Sequence, residues 1–536
     1  MLQRILAVTL CLGLGSCAIT PEPFTVEENI ARASQDLAAV KNFSPAPLAP
    51  ISLEEAQARA VAYNLDHRLQ MFNAAMQNRQ LDLTKLDMLP NLTANAGYVA
   101  RDRELVSSSA SYLSGEINPS NYQNVSVDRE RTFADLTLSW NIVDFGLSYL
   151  QAKQQADRVE IANEQRRRVV NNIFQQVRSS YWTAVAAERL RPRLKPILAE
   201  ARRALASSRS LETDRAQGPL ESLRYQRSLI ELIQQLESVD DNLAIAKTQL
   251  AQLMGLRPGT EYTLAVPKRV PVLTTLPLSI DEMERVALVN RPELREEGYN
   301  TRIVQLEGRR ALLKLVPGVT LMGSLNYDSN SYLHYNNWSE GSARIAASLL
   351  RLSTLPSVKK LNAAQSEIAE TRRLAMTSSV LAQVHIAAQQ HQIARKNYDR
   401  IRTLADVNRR IASVAASSAE AETASEFDRV FEQANAALSE LSRNRAYADL
   451  QNADAYIKVT LGFDPLPDSV SASDLSSLVA AIRQRDAEWQ GGAIAVPVLD
   501  PPPVTNDTKA VTVASTAGVG EANKLKVASA QTRQER

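Results

Sequence analysis

Several residue types and patterns are scarce in this chain of 536 residues. Its two cysteines, Cys11 and Cys17, lie near the N-terminus, which excludes a disulfide framework, an iron–sulfur site and a cysteine-ligated zinc site. Glycine is limited to 18 residues and aromatic residues to 5%, and this composition favours helices over an all-β or Rossmann-type enzyme. The net charge of +2 gives no electrostatic reason to expect a nucleic-acid partner. Beyond residue 16, no apolar run approaches the roughly 18 residues that a membrane helix needs.

Motifs that carry chemistry are also lacking. The sequence has no Gly-rich phosphate loop and no Gly-x-Ser-x-Gly elbow. Its four histidines are scattered, and the pair His385 and His391 is six residues apart, so the two cannot share a helix face as an i,i+4 ligand pair would. We therefore predict no catalytic residue, no metal site and no cofactor, and interpret the protein as not an enzyme. The alternative is an enzyme with an unrecognised site.

The two ends of the chain indicate the compartment. Residues 1–16 have a positive start and an apolar centre, as in a secretory signal peptide. Leu14-Gly15-Ser16-Cys17, at the boundary that follows, resembles a bacterial lipobox. We predict lipid modification at Cys17; the alternative is a plain signal peptide followed by a chance cysteine. The prolines of 17–50 predict a lipidated, extended tether. We further expect a short helical segment at 466–490 and a disordered tail at 491–536.

The chain repeats itself. At an offset of 227, Ser52-Leu53-Glu54-Glu55-Ala56 matches Ser279-Ile280-Asp281-Glu282-Met283. Further on the offset falls to 208 and then to 207, where Leu253-Met254-Gly255-Leu256 matches Thr460-Leu461-Gly462-Phe463. We predict repeat 1 over 51–265 and repeat 2 over 278–465. The change in offset places about 19 extra residues inside the first hairpin, between Tyr98 and Phe133.

Each repeat has the pattern helix, strand, strand, helix, helix. Helices are expected at 53–88 and 280–315, and long helical hairpins at 147–254 and 357–460, with kinks at Pro192 and Pro196. β-Hairpins are expected at about 91–141 and 318–350, and the fourth strand near 342–350. The apolar side of these strands is predicted to carry Tyr98, Leu136, Leu138, Trp140, Leu325, Tyr327 and Leu349.

The strand pattern leaves two interpretations open. Segments of about 10 residues, apolar on one face and small or polar on the other, fit a membrane β-barrel. They also fit an ordinary amphipathic hairpin on a soluble core. Four strands cannot close a barrel, since the smallest have about eight, so a barrel would require several copies of the chain.

These features together resemble the TolC family of outer-membrane exit channels, in its lipoprotein branch. The resemblance is carried by the lipobox, the duplicated halves, Leu89-Pro90-Asn91-Leu92 before the first strand, and a segment similar to the acidic-x-Leu-x-x-Gln turn of the family, which is present in two copies. The copies start at Glu221 and Asp428. The resemblance implies a homotrimer whose twelve strands form a barrel in the outer membrane, continued by a long periplasmic α-helical barrel. The fold would be mainly α with a small membrane β part and two internal repeats per chain.

The resemblance also implies a function and partners. The chain would be a passive exit channel of a tripartite efflux pump or a type I secretion system. It would work with a periplasmic adaptor and an inner-membrane transporter, and would contact outer-membrane lipid. The cargo, whether drug, metal, polysaccharide or protein, stays open. The alternative is a periplasmic coiled-coil adaptor or scaffold lipoprotein without a pore.

Individual site residues follow from the same resemblance. Trp140 to Leu147 resembles the strand-to-helix turn of the family, with Asp144 and Gly146 as its turn residues. The second copy, Arg351 to Pro356, lacks the Asp-x-Gly, and the second hairpin tip lacks the expected glycine. Glu221 and Asp428 are candidates for an acidic pore constriction; alternatively, both favour the positive end of a helix dipole. The tips of the helical hairpins are assigned to Gly218, Pro219, Ser417 and Ser418.

Overall fold

The computed structural model describes residues 21–499 apart from 48, 109–111, 114, 116–123, 214–218, 258, 268–276, 422–425 and 467–473. The predicted signal peptide, Cys17, the hairpin-tip residue Gly218 and the part of the predicted tail beyond residue 499 lie outside the described residues. Within 491–499 the prediction of a disordered tail was wrong, because Ile494 and Val496 pack against a buried cluster.

The described elements follow each other in two similar halves. The first half contains α1 (Val26–Lys41), α2 (Leu53–Tyr63), α3 (Leu65–Leu86), β1 (Asn91–Ala100), β2 (Val106–Ser107), β3 (Asn124–Val125), β4 (Glu130–Asn141), α4 (Ile142–Thr213) and α5 (Pro219–Leu253). The second half contains α6 (Ile280–Asn290), α7 (Pro292–Leu313), β5 (Gly318–Asp328), β6 (Asn337–Ala346), α8 (Leu349–Leu352), α9 (Leu355–Glu420), α10 (Glu426–Thr460) and α11 (Leu475–Gln490).

The segment expected to be an extended tether contains the 16-residue helix α1. A capping box starts it: the Thr25 hydroxyl accepts from the Glu28 N–H at 3.2 Å, and the Glu28 carboxylate accepts from the Thr25 N–H at 2.8 Å. The expectation of an extended chain over 26–41 was wrong because the prolines that suggested it flank this stretch and none lies inside it.

The helices expected at 53–88 and 280–315 are each broken into two. Asn64 is extended, with φ −75° and ψ 127°, and its side chain accepts from the N–H groups of Asp66 at 2.9 Å and His67 at 3.1 Å. It therefore ends α2 and caps α3. In the second half, Arg291 is extended in the same way, because Pro292 disfavours a helical residue before it.

Four long helices give the molecule its length. α4 has 72 residues, about 108 Å at 1.5 Å per residue, and Pro192 and Pro196 lie inside it. α9 has 66 residues, and the return helices α5 and α10 have 35 each. Among the described helices, none combines the length and the apolar character required to cross a membrane.

A buried cluster where α2, α4, α5 and α10 meet forms the largest part of the core. It includes Val177, Tyr181, Leu250 and Met254, and the Trp182 ring packs edge-on against the Tyr447 ring at 5.0 Å. Outside such clusters the helices pack through small residues, and many large apolar side chains on α3 and α9 are exposed. The helices therefore pack in a thin layer rather than around a thick apolar core.

The main strands form one antiparallel sheet in the order β1-β4-β5-β6. β2 and β3 pair separately, within the long connection from β1 to β4. The fourth strand ends at Ala346, opposite Gly318, because β5 begins at that residue and offers no partner beyond it. The prediction of a strand to residue 350 was wrong, and Leu349 belongs to the short helix α8.

Candidate functional site

The sheet has one apolar face. The register places Ala94, Leu136 and Leu325 side by side, and Trp140 beside Leu321. Because side chains alternate along a strand, six of the seven residues predicted for the apolar side share this face, and Leu349 does not. All six are exposed, from 36% for Trp140 to 64% for Tyr98. The six are Tyr98, Leu136, Leu138, Trp140, Leu325 and Tyr327. A continuous exposed apolar face of this kind marks a surface that contacts lipid or another protein.

The opposite face of the sheet is polar. Asn95 donates to the Asp135 carboxylate at 2.9 Å, and the Thr137 hydroxyl donates to the same carboxylate oxygen at 3.0 Å. On the neighbouring strand, Asn326 donates to the Ser324 hydroxyl at 2.9 Å. These three bonds all lie on the polar side, whereas on the other side the Tyr98 hydroxyl donates to the Glu130 carboxylate at 3.0 Å. The polar face is therefore suited to water, in contrast to the face behind it.

An aromatic ring covers a glycine at the end of the sheet far from the long helices. A Cβ atom placed on Gly97 would lie 2.4 Å from Cζ of Phe133, so any larger residue would require this ring to move. The Arg131 guanidinium lies over the ring, 5.7 Å from its centroid, and forms an ion pair with Asp328. Sequence reasoning missed this group because its members come from three strands.

The connections beyond the sheet are tied together at the same end. Asn330, 5% exposed, accepts from the Asp128 N–H at 2.9 Å and donates to the Ser126 carbonyl at 3.1 Å. The Ser331 hydroxyl donates to the Asp128 carboxylate at 2.9 Å. The short connection 329–336 thereby holds the base of the long connection 101–129.

The first passage from strand to helix is tight. The Asn141 side chain accepts from the N–H groups of Val143 at 2.9 Å and Asp144 at 3.2 Å, so it caps α4 directly after β4. Asp144 and Gly146, predicted as turn residues, lie in the first turns of this helix. A Cβ on Gly146 would be 2.9 Å from Cδ2 of Leu313, so glycine allows α7 to approach. In the second half, α8 stands between strand and long helix, where the Asp-x-Gly is absent.

The ends of the helical hairpins lie at the opposite end of the long helices. Pro219 and Glu221 fall in the first turn of α5. Ser417 and Ser418, predicted at the second tip, lie in the last turn of α9, which continues to Glu420. Residues 422–425, which follow this helix, lie outside the described residues, so the placement of the tip at Ser417 and Ser418 stays a prediction. Asp428, the equivalent of Glu221, is exposed in the first turn of α10.

A buried ionic cluster fastens α11 to α4 and α10. Arg178 donates to Asp486 at 2.6 Å and lies 3.7 Å from Asp454, while Lys458 lies 3.3 Å from Asp454 and 3.5 Å from Asp486. Burial alone would raise the pKa of Asp486, but the adjacent Arg178 and Lys458 outweigh it and hold that pKa below its ordinary value. The cluster was not predicted, since its members are scattered along the sequence.

Two of the four histidines are buried in the described structure. His67 and His391 are buried, and burial lowers the pKa of each. His385 lies 2.8 Å from the Glu284 carboxylate. Among the described residues, no three His, Cys, Asp or Glu side chains come together in a way that could hold a metal ion.

Comparison with known proteins gives likeness of fold rather than of sequence. The sequence matches no family model, and a search of curated proteins found no relative. The outer-membrane channel CmeC of Campylobacter jejuni superposes with a TM-score of 0.62 at 13% identity, over 87% of this chain and 98% of that one. MtrE of Neisseria gonorrhoeae, solved in its open state, superposes with a TM-score of 0.55 at 18% identity, over 75% of this chain and 88% of that one. VceC of Vibrio cholerae superposes with a TM-score of 0.56 at 12% identity, over 76% of this chain and 96% of that one.

Proposed function

We propose that this chain, which has the fold of TolC-like outer-membrane channels, is a passive exit channel of the bacterial outer membrane. The observation that carries the proposal is the sheet with one apolar and one polar face, continued directly into helices of about 100 Å. In a closed barrel the apolar face would meet lipid and the polar face would line the water-filled interior. The helices would extend that interior into the periplasm.

The proposed channel is a homotrimer. A single copy leaves β1 and β6 as bare edges, and unpaired backbone groups cannot remain in lipid. Three copies give twelve strands and remove every edge. Each copy would be anchored through acyl groups on its Cys17. Two or three acyl groups on one cysteine would hold it stably in the inner leaflet of the outer membrane.

The channel would act with two partners. A periplasmic adaptor would dock on the hairpin ends, and an inner-membrane transporter would supply the energy, in a tripartite efflux pump or a type I secretion system. The channel itself would hydrolyse nothing.

Selectivity would arise from the width and the charge of the interior, and Glu221 and Asp428 would form carboxylate rings at the periplasmic mouth.

Planar bilayer recording tests the proposal. Protein extracted in detergent and added to a bilayer should give discrete conductance steps, and crosslinking before extraction should give a trimer. A protein that remains monomeric and soluble once its acyl anchor is removed, and that gives no conductance, would contradict the channel. That result would favour the periplasmic adaptor or scaffold lipoprotein instead.

A further inference from the structure

The polar face of the sheet carries one large aromatic side chain that is open to solvent. Trp338 lies opposite Asn326 on β5, and Asn326 lies opposite Asp135 on β4, so the three side chains form one row on this face. The Trp338 side chain is 43% exposed, and among the described residues no aromatic ring or cation lies against its indole. A tryptophan on the apolar face would be an ordinary interfacial residue, but on the face suited to water it needs another explanation.

The first repeat contains an aromatic ring on the same face, and there the ring holds a cation. The Arg131 guanidinium lies over the Phe133 ring, 5.7 Å from its centroid, and pairs with the Asp328 carboxylate. Ring, cation and carboxylate thus form a closed group of three. Both the ring face and the carboxylate attract the cation, so the two contacts reinforce each other.

The strand register identifies the equivalent position in the second repeat. β1 corresponds to β5 at the offset of 227, and the pairing of each with its hairpin partner then relates β4 to β6 by an offset of 207. At this offset Trp338 takes the place of Arg131, and Glu340 takes the place of Phe133. The second repeat therefore has a ring and a carboxylate on this face, and the chain itself supplies no cation between them.

Negative charge lies on two sides of Trp338. Glu340 is exposed on the same face, two residues further along the strand, at about 7 Å. Asp135 lies two strands away, at about 10 Å, and its carboxylate accepts from Asn95 and Thr137, neither of which is charged. In the part of the chain that the structure describes, no Lys, Arg or His forms an ion pair with either carboxylate.

The cations of the same face do not neutralise this position within one chain. Arg131 is already paired with Asp328. Arg344 lies toward the long helices, about 20 Å from Trp338 along β6. Arg101 follows β1, which is three strands from β6, or about 14 Å. The surroundings of the exposed indole are therefore negative.

We propose that Trp338 and Glu340 form a binding site for an organic cation on the water-filled side of the sheet. The ligand is a quaternary ammonium or a similarly weakly hydrated group, whose charge would lie over the indole while the carboxylate balances it. The proposal rests on the exit channel proposed above, because in a closed barrel this face lines the interior. Trp338 is the second residue of β6, directly after the connection 329–336, so three copies would place three sites around the end of the interior far from the helices.

Such a site would be weak, as a position on a path of transport must be. A contact between a cation and an exposed aromatic ring changes a binding equilibrium by about two- to fivefold. A cation held this loosely would enter and leave readily, which passage through a channel requires. Neutral and anionic solutes would pass the same position without being held.

Tryptophan fluorescence tests the site without requiring conductance. Titration of the detergent-purified protein with benzyltrimethylammonium should change the emission in a saturable way, and Trp338→Leu should abolish the change. Trp140→Phe is the matched control, because Trp140 lies on the apolar face, and it should leave the change intact. Benzenesulfonate, which has the same ring and the opposite charge, should give no saturable change. Absence of saturation in the wild-type protein, or a change that persists in Trp338→Leu, would overturn the site.

Substitution of Glu340 tests the carboxylate. Glu340→Gln should raise the apparent Kd for benzyltrimethylammonium by about two- to fivefold, as expected for an exposed ion pair, and Glu340→Asp should retain most of the affinity. The matched control is Glu130→Gln, at the same end of the sheet but on its apolar face, which should leave the Kd unchanged. Equal effects of Glu340→Gln and Glu130→Gln would show a general effect of charge and would contradict the assigned role of Glu340.

Planar bilayer recording connects the site to the channel. Benzyltrimethylammonium should reduce the current through the wild-type protein, and Trp338→Leu should raise the concentration for half of the effect by about two- to fivefold. A protein that conducts and responds equally in both forms would overturn the site and leave the channel standing. The same conclusion would follow if Trp338→Leu lowered the yield of trimer without altering the response, since the ring would then pack against a neighbouring copy. Absence of conductance in every form would instead contradict the channel, and the fluorescence titration would still decide the site.

Discussion

At the scale of single residues, the decisive contacts join parts of the chain that are far apart. Asn141 could be recognised from the sequence as a helix cap, because it directly precedes an amphipathic run and its effect is local. The pairing of Arg178 with Asp486 could not, since residues more than 300 positions apart meet only once the helices are packed. For the same reason the sequence showed Arg302 and Asp157 without showing that they pair.

Loss of the Asp486 carboxylate should loosen α11. Asp486→Asn should lower the free energy of unfolding by about 3 kcal/mol, because Arg178 and Lys458 would remain buried with half of their partners. Thermal denaturation in detergent measures this. The matched control is Glu488→Gln on the same helix, whose contacts are with neighbours on that helix such as Arg485 and whose removal should cost less than about 1 kcal/mol. Equal losses in the two variants would contradict a structural role for the cluster.

The same carboxylate should give the protein a pH dependence. Its pKa in the folded state lies below the ordinary value of 3.8, so its stabilising effect is complete above that value and is lost as the pH falls through the folded-state pKa. The wild-type protein should therefore lose stability in this acidic range, and Asp486→Asn should lose less. Melting temperatures of both proteins between about pH 2.5 and 6 check the prediction.

Asp428 should influence the proposed mouth. In a trimer its three carboxylates would attract cations, so Asp428→Asn should reduce the preference for cations in a planar bilayer. The conservative change Asp428→Glu keeps the charge and should retain the preference. If the neutral variant conducts with unchanged selectivity, Asp428 acts on the helix dipole alone and not on the pore.

At the scale of elements, the periodicity of apolar residues predicted which side chains share a face of the sheet, but it did not predict where the helices begin and end. The alternation in β1, β4 and β5 predicted which side chains share the apolar face, because a strand has a period of two. Helix breaks were missed at Asn64 and Arg291. The sequence 53–88 contains neither glycine nor proline, and a capping asparagine within such a run is easily passed over.

The sheet makes a sharp prediction about its two faces. Leu138→Arg places a charge on the apolar face and should cost about 2–4 kcal/mol per copy if that position faces the middle of the bilayer. The adjacent Thr137→Arg places the same charge on the polar face and should be far milder. The yield of trimer extracted in detergent distinguishes them. Equal tolerance of both changes would rule out a lipid-facing sheet.

At the scale of the whole molecule, the duplication was readable from the sequence, and the neighbours of each helix were not. The offsets of 227 and 207 follow from aligned residues such as Ser52 with Ser279 and Leu253 with Thr460. Whether a helix face is covered depends on both partners at once. That α7 lies against both α4 and α9 was therefore visible only in the packed structure.

The proposed anchor can be tested in the intact cell. Cys17→Ser should abolish acylation while leaving export through the signal peptide possible, because one hydroxyl cannot replace the acylated thiol. Mass spectrometry of the mature N-terminus measures the change, and the wild-type protein should begin at a modified Cys17. A native protein that begins elsewhere without modification would contradict the lipoprotein assignment.

The hydrogen bond between Asn330 and Asp128 makes the long connection 101–129 a suitable place to insert a peptide epitope. Because its base is fastened to the neighbouring connection, a change at its far end need not reach the sheet. Tyr112 and Leu113 are 100% and 94% exposed, and exposed loop tips accept insertions well. An epitope inserted between them should be displayed three times on each assembly and stain intact cells with a labelled antibody. If the antibody stains only permeabilised cells, this end of the sheet does not face the cell exterior, which would contradict the proposed orientation.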